Sequence, residues 1–313
     1  MMERTNSNQQ TKRCAVVTGS NKGIGLEICR QLASNGIMVV LTARDQKRGI
    51  EAVESLKTSG FLDNVVFHQL DVKDPASITS LASFIETHFG KLDILVNNAG
   101  EGGVMVDLET LRTFVELTAN GDLLDGKMDE NDKKLMEKLK QTYEKAEDCL
   151  KTNYYGTKIV TEALLPLLQL SNSARIVNVS SILGQLKLIH NEKIKAELDN
   201  IDDLTEEKLD ELLQLFLKDF KEDMLKANGW PLTASAYKVS KFAMNAYTRI
   251  LARKFPNLHI NCVHPGYVKT DITGNTGTIT AEEGARAPVK LALLADDDGP
   301  SGLYFDQMEV STF

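Results

Sequence analysis

Apolar residues along the chain follow two alternating rhythms. Short runs are apolar at nearly every position and break off at glycine or aspartate. Between them lie stretches with apolar residues three and four apart. The first run, Ala15-Val16-Val17, enters a glycine-rich turn and reads as a buried strand over 14–18. Ile24, Ile28 and Leu32 then mark one face of a helix over 24–35, which Gly36 stops. The runs 37–42, 65–70 and 92–96 predict three more strands, with helices over 49–59 and 76–89 between them. Pro75 stands at the start of the second of these helices, where its missing N–H costs nothing. Further on, 174–179 and 259–263 read as strands, and 302–305 as a short last one. Strands apolar on both faces, alternating with helices, form a parallel sheet covered on each side.

Two stretches interrupt this alternation. From about 101 to 135 the chain is acidic, rich in glycine and aspartate, and only weakly periodic. A helix then runs from about 134 to 150 and is expected to continue through 155–170. The second interruption spans about 185–232. There Thr205 is a plausible N-cap, and Leu209, Leu212, Leu213, Phe216 and Phe220 line one helical face. Such a face either docks on the core or covers a pocket mouth as a flap, and the two roles are compatible. A length of 313 residues would by itself suggest two domains. The unbroken alternation instead predicts an α/β fold: one doubly wound parallel sheet of the Rossmann type over 13–313, with helical insertions at about 101–150 and 185–232. Residues 1–12 are polar and are expected to be a disordered lead-in.

The formal charge is −8, which argues against a nucleic-acid partner. It sits mainly in the insertions: 101–150 carries 7 basic and 13 acidic residues, and 181–236 carries 7 and 12. The remainder is mildly basic, which suits an anionic cofactor. Cys14, Cys29, Cys149 and Cys262 lie far apart with no C-x-x-C pair, as buried free thiols of a reducing compartment do. No signal-peptide pattern appears and no apolar run approaches the roughly 20 residues of a membrane span, so a cytoplasmic protein is expected.

The turn after the first strand reads Thr18-Gly19-Ser20-Asn21-Lys22-Gly23-Ile24-Gly25. Glycines there let the backbone turn sharply and approach a pyrophosphate, which then sits over the helix N-terminus. Gly19, Asn21, Lys22, Gly23, Ile24 and Gly25 are therefore candidate cofactor residues. Arg44 ends the second strand, where an acid would serve the ribose hydroxyls of NAD; an arginine pairs instead with a 2′-phosphate. Arg48 and Lys22 add charge near the same expected spot, which favours NADPH/NADP+. Asp71 and Val72 end the third strand and could flank the adenine. Asn98, Ala99 and Gly100 end the fourth, where Asn97-Asn98 amides can tie strands and Gly100 leaves room for the cofactor. Beyond the sixth strand, Pro265, Gly266, Val268 and Thr270 stand where a nicotinamide carboxamide would be held.

Tyr237 and Lys241 are four residues apart and share one face of a helix. A free phenol, with a pKa near 10, is a poor acid at neutral pH. A neighbouring ammonium and an oxidised nicotinamide both favour the phenolate and would lower that value. Ser180 ends the fifth strand, where a hydroxyl can hold a substrate oxygen while Tyr237 protonates it. Ser181, beside it, could instead be only a helix cap. Asn153 sits inside a helical stretch and could hold a water that relays protons to Lys241. His264 reads as structural, since Tyr237 already fills the acid's role. The remaining histidines lack metal-ligand spacing, and no metal is expected.

These four patterns in this order resemble the short-chain dehydrogenase/reductase family over about residues 13–308. The resemblance implies Ser180, Tyr237 and Lys241 as catalytic residues with Asn153 as fourth member, and an oxidoreductase of NADP. Ser180 and Tyr237 lie 57 positions apart, and Gly229-Trp230-Pro231 precedes the tyrosine. Both features resemble the monomeric carbonyl reductases of the family. The expansion between Gly100 and Asn153 resembles their plant branch, whose substrates include monoterpenoid ketones such as menthone and morphinan-type alkaloid ketones such as salutaridine. In that branch an added helix covers the family's dimer surface, which implies a monomer. The segment 101–107 should line the pocket. The expectation is a monomeric, cytoplasmic carbonyl reductase acting on a small-molecule ketone. Alcohol oxidation with NADP+, or a catalytically silent NADPH sensor, are the alternatives; a complete catalytic set argues against the sensor.

Overall fold

The structure is a computed structural model that describes residues 12–60, 64–103, 109–110, 113, 141–295 and 299–313. Most of the lead-in and most of the first insertion, including the expected pocket residues 104–107 and the helix start at 134, lie outside the described residues.

Among the described residues, eight strands form one sheet: β1 (Cys14–Val17), β2 (Met38–Ala43), β3 (Val65–Gln69), β4 (Ile94–Asn97), β5 (Arg175–Val179), β6 (His259–His264), β7 (Tyr304–Asp306) and β8 (Glu309–Ser311). Their order is β3-β2-β1-β4-β5-β6-β7-β8. All pairs are parallel except β7 with β8, an edge hairpin in which Phe305 stands opposite Val310. β1 is central: Val17 pairs with Leu41 on one side and Val96 on the other. Every residue of β1, β4 and β5 is buried, which is why these strands read as mainly apolar runs, with Arg175, Asn178 and Asn97 the polar exceptions.

Helices α1 (Gly23–Ser34), α2 (Gln46–Thr58) and α9 (Ala281–Ala292) cover one face, with Ile28, Leu32, Val53 and Ala285 in its core. The other face carries α3 (Pro75–Phe89), α4 (Tyr143–Leu150), α5 (Thr157–Leu168) and α8 (Ser235–Lys254). The long helix expected across 134–170 is not continuous. A π-helical turn, Lys151–Gly156, separates α4 from α5. Such turns are rare and are frequent at functional sites; this one buries Asn153 and Tyr154 completely.

The second insertion contributes α6 (Glu192–Asp199) and α7 (Glu206–Lys221). The Thr205 hydroxyl caps α7 by accepting the Lys208 N–H at 3.3 Å. Leu209, Leu212, Leu213 and Phe216 are buried in the same core as Tyr247 and Phe242 of α8. The Asp210 carboxylate accepts from Tyr154 Oη at 2.9 Å and from Lys158 Nζ at 2.7 Å. Asp219 accepts from the Trp230 indole at 2.8 Å, with the Phe216 ring edge-on to Trp230. α7 is thus docked on the core by both apolar and polar contacts, the first of the two roles its pattern allowed. All four cysteines are buried free thiols, as expected.

Candidate active site

β1 and β4 are neighbours whose connections leave in opposite directions, so a crevice opens at their carboxyl ends. One lip is the glycine turn. The Thr18 hydroxyl accepts the N–H groups of Asn98 (2.9 Å) and Ala99 (3.0 Å). Asn98 Nδ2 returns the contact, donating to the carbonyls of Thr18 (3.0 Å) and Gly19 (3.1 Å). The Asn98 side chain therefore holds the turn from behind. Gly19 (φ +61°) and Gly23 (φ +57°) are in the left-handed region. A Cβ on Gly19 would stand 2.8 Å from Ala99 Cα, and one on Gly25 2.5 Å from Asn98 Nδ2, so these two glycines serve close packing. At Gly23 the nearest atom is Thr270 Cγ2, at 3.4 Å. The loop after β6 thereby forms the opposite lip.

No side chain caps the N-terminus of α1, and no acidic residue lies in its first turn. Its free N–H groups and positive dipole end fit a pyrophosphate. Arg44 lies exposed at the carboxyl side of β2 and makes no ion pair among the described residues. Arg48 follows on α2, its backbone N–H donating to the Asp45 cap at 2.9 Å and its Nε 3.9 Å from the same carboxylate. These arginines suit a 2′-phosphate. Lys22 does not converge with them: it is bonded to Asp271, across the crevice. Asp71 accepts the Lys73 N–H at 3.0 Å and Val72 is buried, which fixes the corner after β3. Asn21 and Ile24 lie on the turn and the start of α1, as expected. Past β6, Gly266 has φ +93°, Val268 bridges to Ile279, and Thr270 precedes a short 3-10 turn. Pro265 begins this loop.

Tyr237 and Lys241 lie on α8 one turn apart, with Lys241 Nζ 5.6 Å from the centre of the phenol ring. The helix opens on Ala234 at φ +44°, a conformation costing an alanine about 1–2 kcal/mol. Gln141 Oε1 compensates by accepting the Ser235 N–H and hydroxyl at 2.8 and 2.7 Å. Lys241 Nζ is buried and donates to the Val179 carbonyl at 2.9 Å. Burial lowers its pKa to about 8. Burial raises the Tyr237 phenol to about 12, while its interaction with the Ser181 hydroxyl works the other way. The net direction is upward, opposite to the depression expected from a neighbouring ammonium, and burial is its largest cause. The phenol is held protonated at neutral pH, the form that can give up a proton.

The serine assignment also needs correction. The Ser180 hydroxyl turns inward and donates to Asn245 Oδ1 at 2.6 Å, while Asn245 Nδ2 donates to the Gly184 carbonyl at 2.8 Å. Ser180 thus ties the turn after β5 to α8 and does not face the phenol. Ser181 is both the cap of the 3-10 turn Ile182–Gly184, accepting the Leu183 N–H at 3.2 Å, and the hydroxyl beside Tyr237. Its role as a cap, read from sequence, did not exclude the second.

Asn153 is fully buried on the π-helical turn. Its Oδ1 accepts the Glu101 N–H at 2.7 Å; its Nδ2 donates to the Glu101 carbonyl and to Ser240 Oγ, both at 2.9 Å. These bonds hold the segment at Glu101 and α8 on either side of the π-helical turn. Gly100 is small for the same reason: a Cβ would lie 3.3 Å from Asn153 Oδ1. Asn97 ties strands as expected, donating to Asn178 Oδ1 at 2.8 Å and to Thr161 Oγ1 at 3.0 Å. Burial lowers the His264 pKa to about 4, leaving it neutral and no acid at physiological pH. No cluster of metal-ligating side chains occurs among the described residues. Sequence reasoning passed over Ser240, Asn245 and Asp271. The first two were visible as polar residues on the buried side of an apolar helix; Asp271 carried no signal.

A family model for short chain dehydrogenases matches residues 13–120. The chain is 54% identical to salutaridine reductase from Papaver somniferum over the whole of both chains. The solved structure of that protein superposes with a TM-score of 0.84, covering 94% of this chain and 99% of its own. The structure of menthone neomenthol reductase from Mentha piperita gives a TM-score of 0.84 at 50% identity, covering 96% of this chain and 100% of that one. Carbonyl reductase [NADPH] 3 from Mus musculus is 37% identical over 91% of this chain and 92% of its own.

Proposed function

The chain belongs to the short-chain dehydrogenase/reductase family, and on that footing we propose that it reduces the carbonyl of a bulky, mostly apolar ketone to a secondary alcohol with NADPH. Monoterpenoid ketones such as menthone and morphinan-type ketones such as salutaridine are the leading substrate classes. Relatives named for both share half or more of its residues. The observation that carries the reading is the meeting of the Tyr237 phenol and Ser181 hydroxyl beside the buried Lys241 ammonium, at the carboxyl edge of the sheet.

NADPH, held in the crevice at the carboxyl ends of β1 and β4, would supply the hydride for the carbonyl carbon. The polypeptide does the rest. The N-terminus of α1 and the glycine turn hold the pyrophosphate, and Arg44 with Arg48 select the 2′-phosphate. Ser181 donates to the substrate oxygen, and Tyr237 gives that oxygen its proton as negative charge develops there. Lys241, fixed by the Val179 carbonyl, stabilises the phenolate left behind. No described helix is long and apolar enough to cross a membrane. We read the protein as a cytoplasmic monomer: α7 and Trp230 occupy the outer face of α4 and α8, which would otherwise be free to pair with a second copy.

Purified protein given menthone or salutaridine should consume NADPH, and NADH far more slowly. No turnover across a broad panel of bulky ketones would contradict the reading.

A further inference from the structure

Behind Tyr237 lies a set of buried polar groups that the chemistry above leaves unused. Ser240 is fully buried on α8. Its hydroxyl donates to the Tyr237 carbonyl at 2.7 Å and accepts from Asn153 Nδ2 at 2.9 Å. Asn153 in turn holds both the N–H and the carbonyl of Glu101. Cys149 fills the corner between them. Its Sγ lies 3.4 Å from the Glu101 carbonyl and 3.9 Å from Ser240 Oγ. A Cβ on Gly103 would stand 3.0 Å from both Cys149 Cβ and Sγ. The segment 101–103, α4, the π-helical turn and α8 all meet at this point.

A serine bonded to the carbonyl three residues back is common within helices and has no consequence of its own. The second bond is what matters, because it leaves α8 and ends on another element. We propose that Ser240 is a positioning residue for Tyr237. It hangs the first turn of α8 on Asn153, so that the phenol and the backbone of 101–103 keep one fixed relation. The inference rests on the reductase reading above. Its physical basis is leverage: the reacting oxygen is at the far end of the longest lever on that turn. A small tilt of the helix becomes a displacement that proton transfer does not tolerate. The arrangement also gives Asn153 a task its side-chain bonds support, acting on the acid through Ser240.

Ser240→Ala removes both bonds and leaves the helix its backbone ladder. Expected are a fall in kcat of about tenfold, a KM for NADPH changed by less than about twofold, and faster hydrogen exchange at the Glu101 amide. Asn153→Ala and the double variant should lose no more than about the larger single loss, because the two groups act in series. A wild-type kcat in Ser240→Ala, or fully additive losses, would overturn the proposal. If the wild-type protein reduces no ketone, the reductase reading fails first. The exchange rate of the Glu101 amide still decides the linkage, and an unchanged rate in Ser240→Ala overturns it.

Discussion

Two adjacent serines at the end of β5 divide one task between them. Both follow β5 directly, and Ser181 stands beside the phenol while Ser180 is turned to Asn245. The spacing of Tyr237 and Lys241 was legible in the sequence because helical geometry dictates that residues four apart meet. Which serine faces them was not, because the chain leaves the strand at that very step and enters a 3-10 turn. Ser181→Ala is expected to lower kcat for ketone reduction by about 100-fold, the scale of removing a donor aimed at developing charge. Ser180→Ala should cost stability, through the unpaired Asn245, more than rate. Reversed effects in steady-state assays would return the role to Ser180. The pH dependence follows from Lys241. Its ammonium is present below about 8 and lost above it, while the phenol stays protonated to about 12. Reductive kcat/KM should therefore fall as pH rises through about 8, steepening toward tenfold per unit. A profile flat to pH ~9.5 would detach Lys241 from the step.

Among the elements, α7 was the most legible and the π-helical turn the least. The stripe Leu209, Leu212, Leu213 and Phe216, with Thr205 before it, announces a capped amphipathic helix, and it docks as such. Nothing local marks Lys151–Gly156 as π-helical. The extra residue per turn is imposed from outside, by the bonds Asn153 makes to Glu101 and Ser240. β8 and α6 also escaped notice: β8 has three residues, and α6 buries only Ile194 and Leu198. The buried Asp219–Trp230 bond is one polar anchor of α7, and the Asp210 carboxylate is the other. Asp219→Ala leaves the indole N–H unpaired, and a buried donor in that state costs about 1–3 kcal/mol. Denaturant unfolding should show a loss in that range. A change of only a few tenths would mean that the apolar stripe holds the helix without help.

At the scale of the molecule, the alternation of apolar runs and helical faces carried the architecture. Strands buried on both sides can be covered only by helices, and the chain order then leaves one crevice at the carboxyl edge. The glycine turn, Arg44, Ser181, Tyr237 and Lys241 all reach that edge from separate parts of the sequence. What the pattern could not convey was electrostatic sign. Burial is the largest cause acting on each of Tyr237 and Lys241, raising the phenol and lowering the ammonium, and burial is a property of the folded whole. The phenol is thereby kept as a proton donor. Tyr237→Phe tests this most directly, since it deletes one oxygen and keeps the ring. NADPH affinity by calorimetry should stay within about twofold of wild type, while ketone reduction falls by at least about 100-fold. A variant that binds NADPH and retains most of its rate would show that the proton comes from elsewhere.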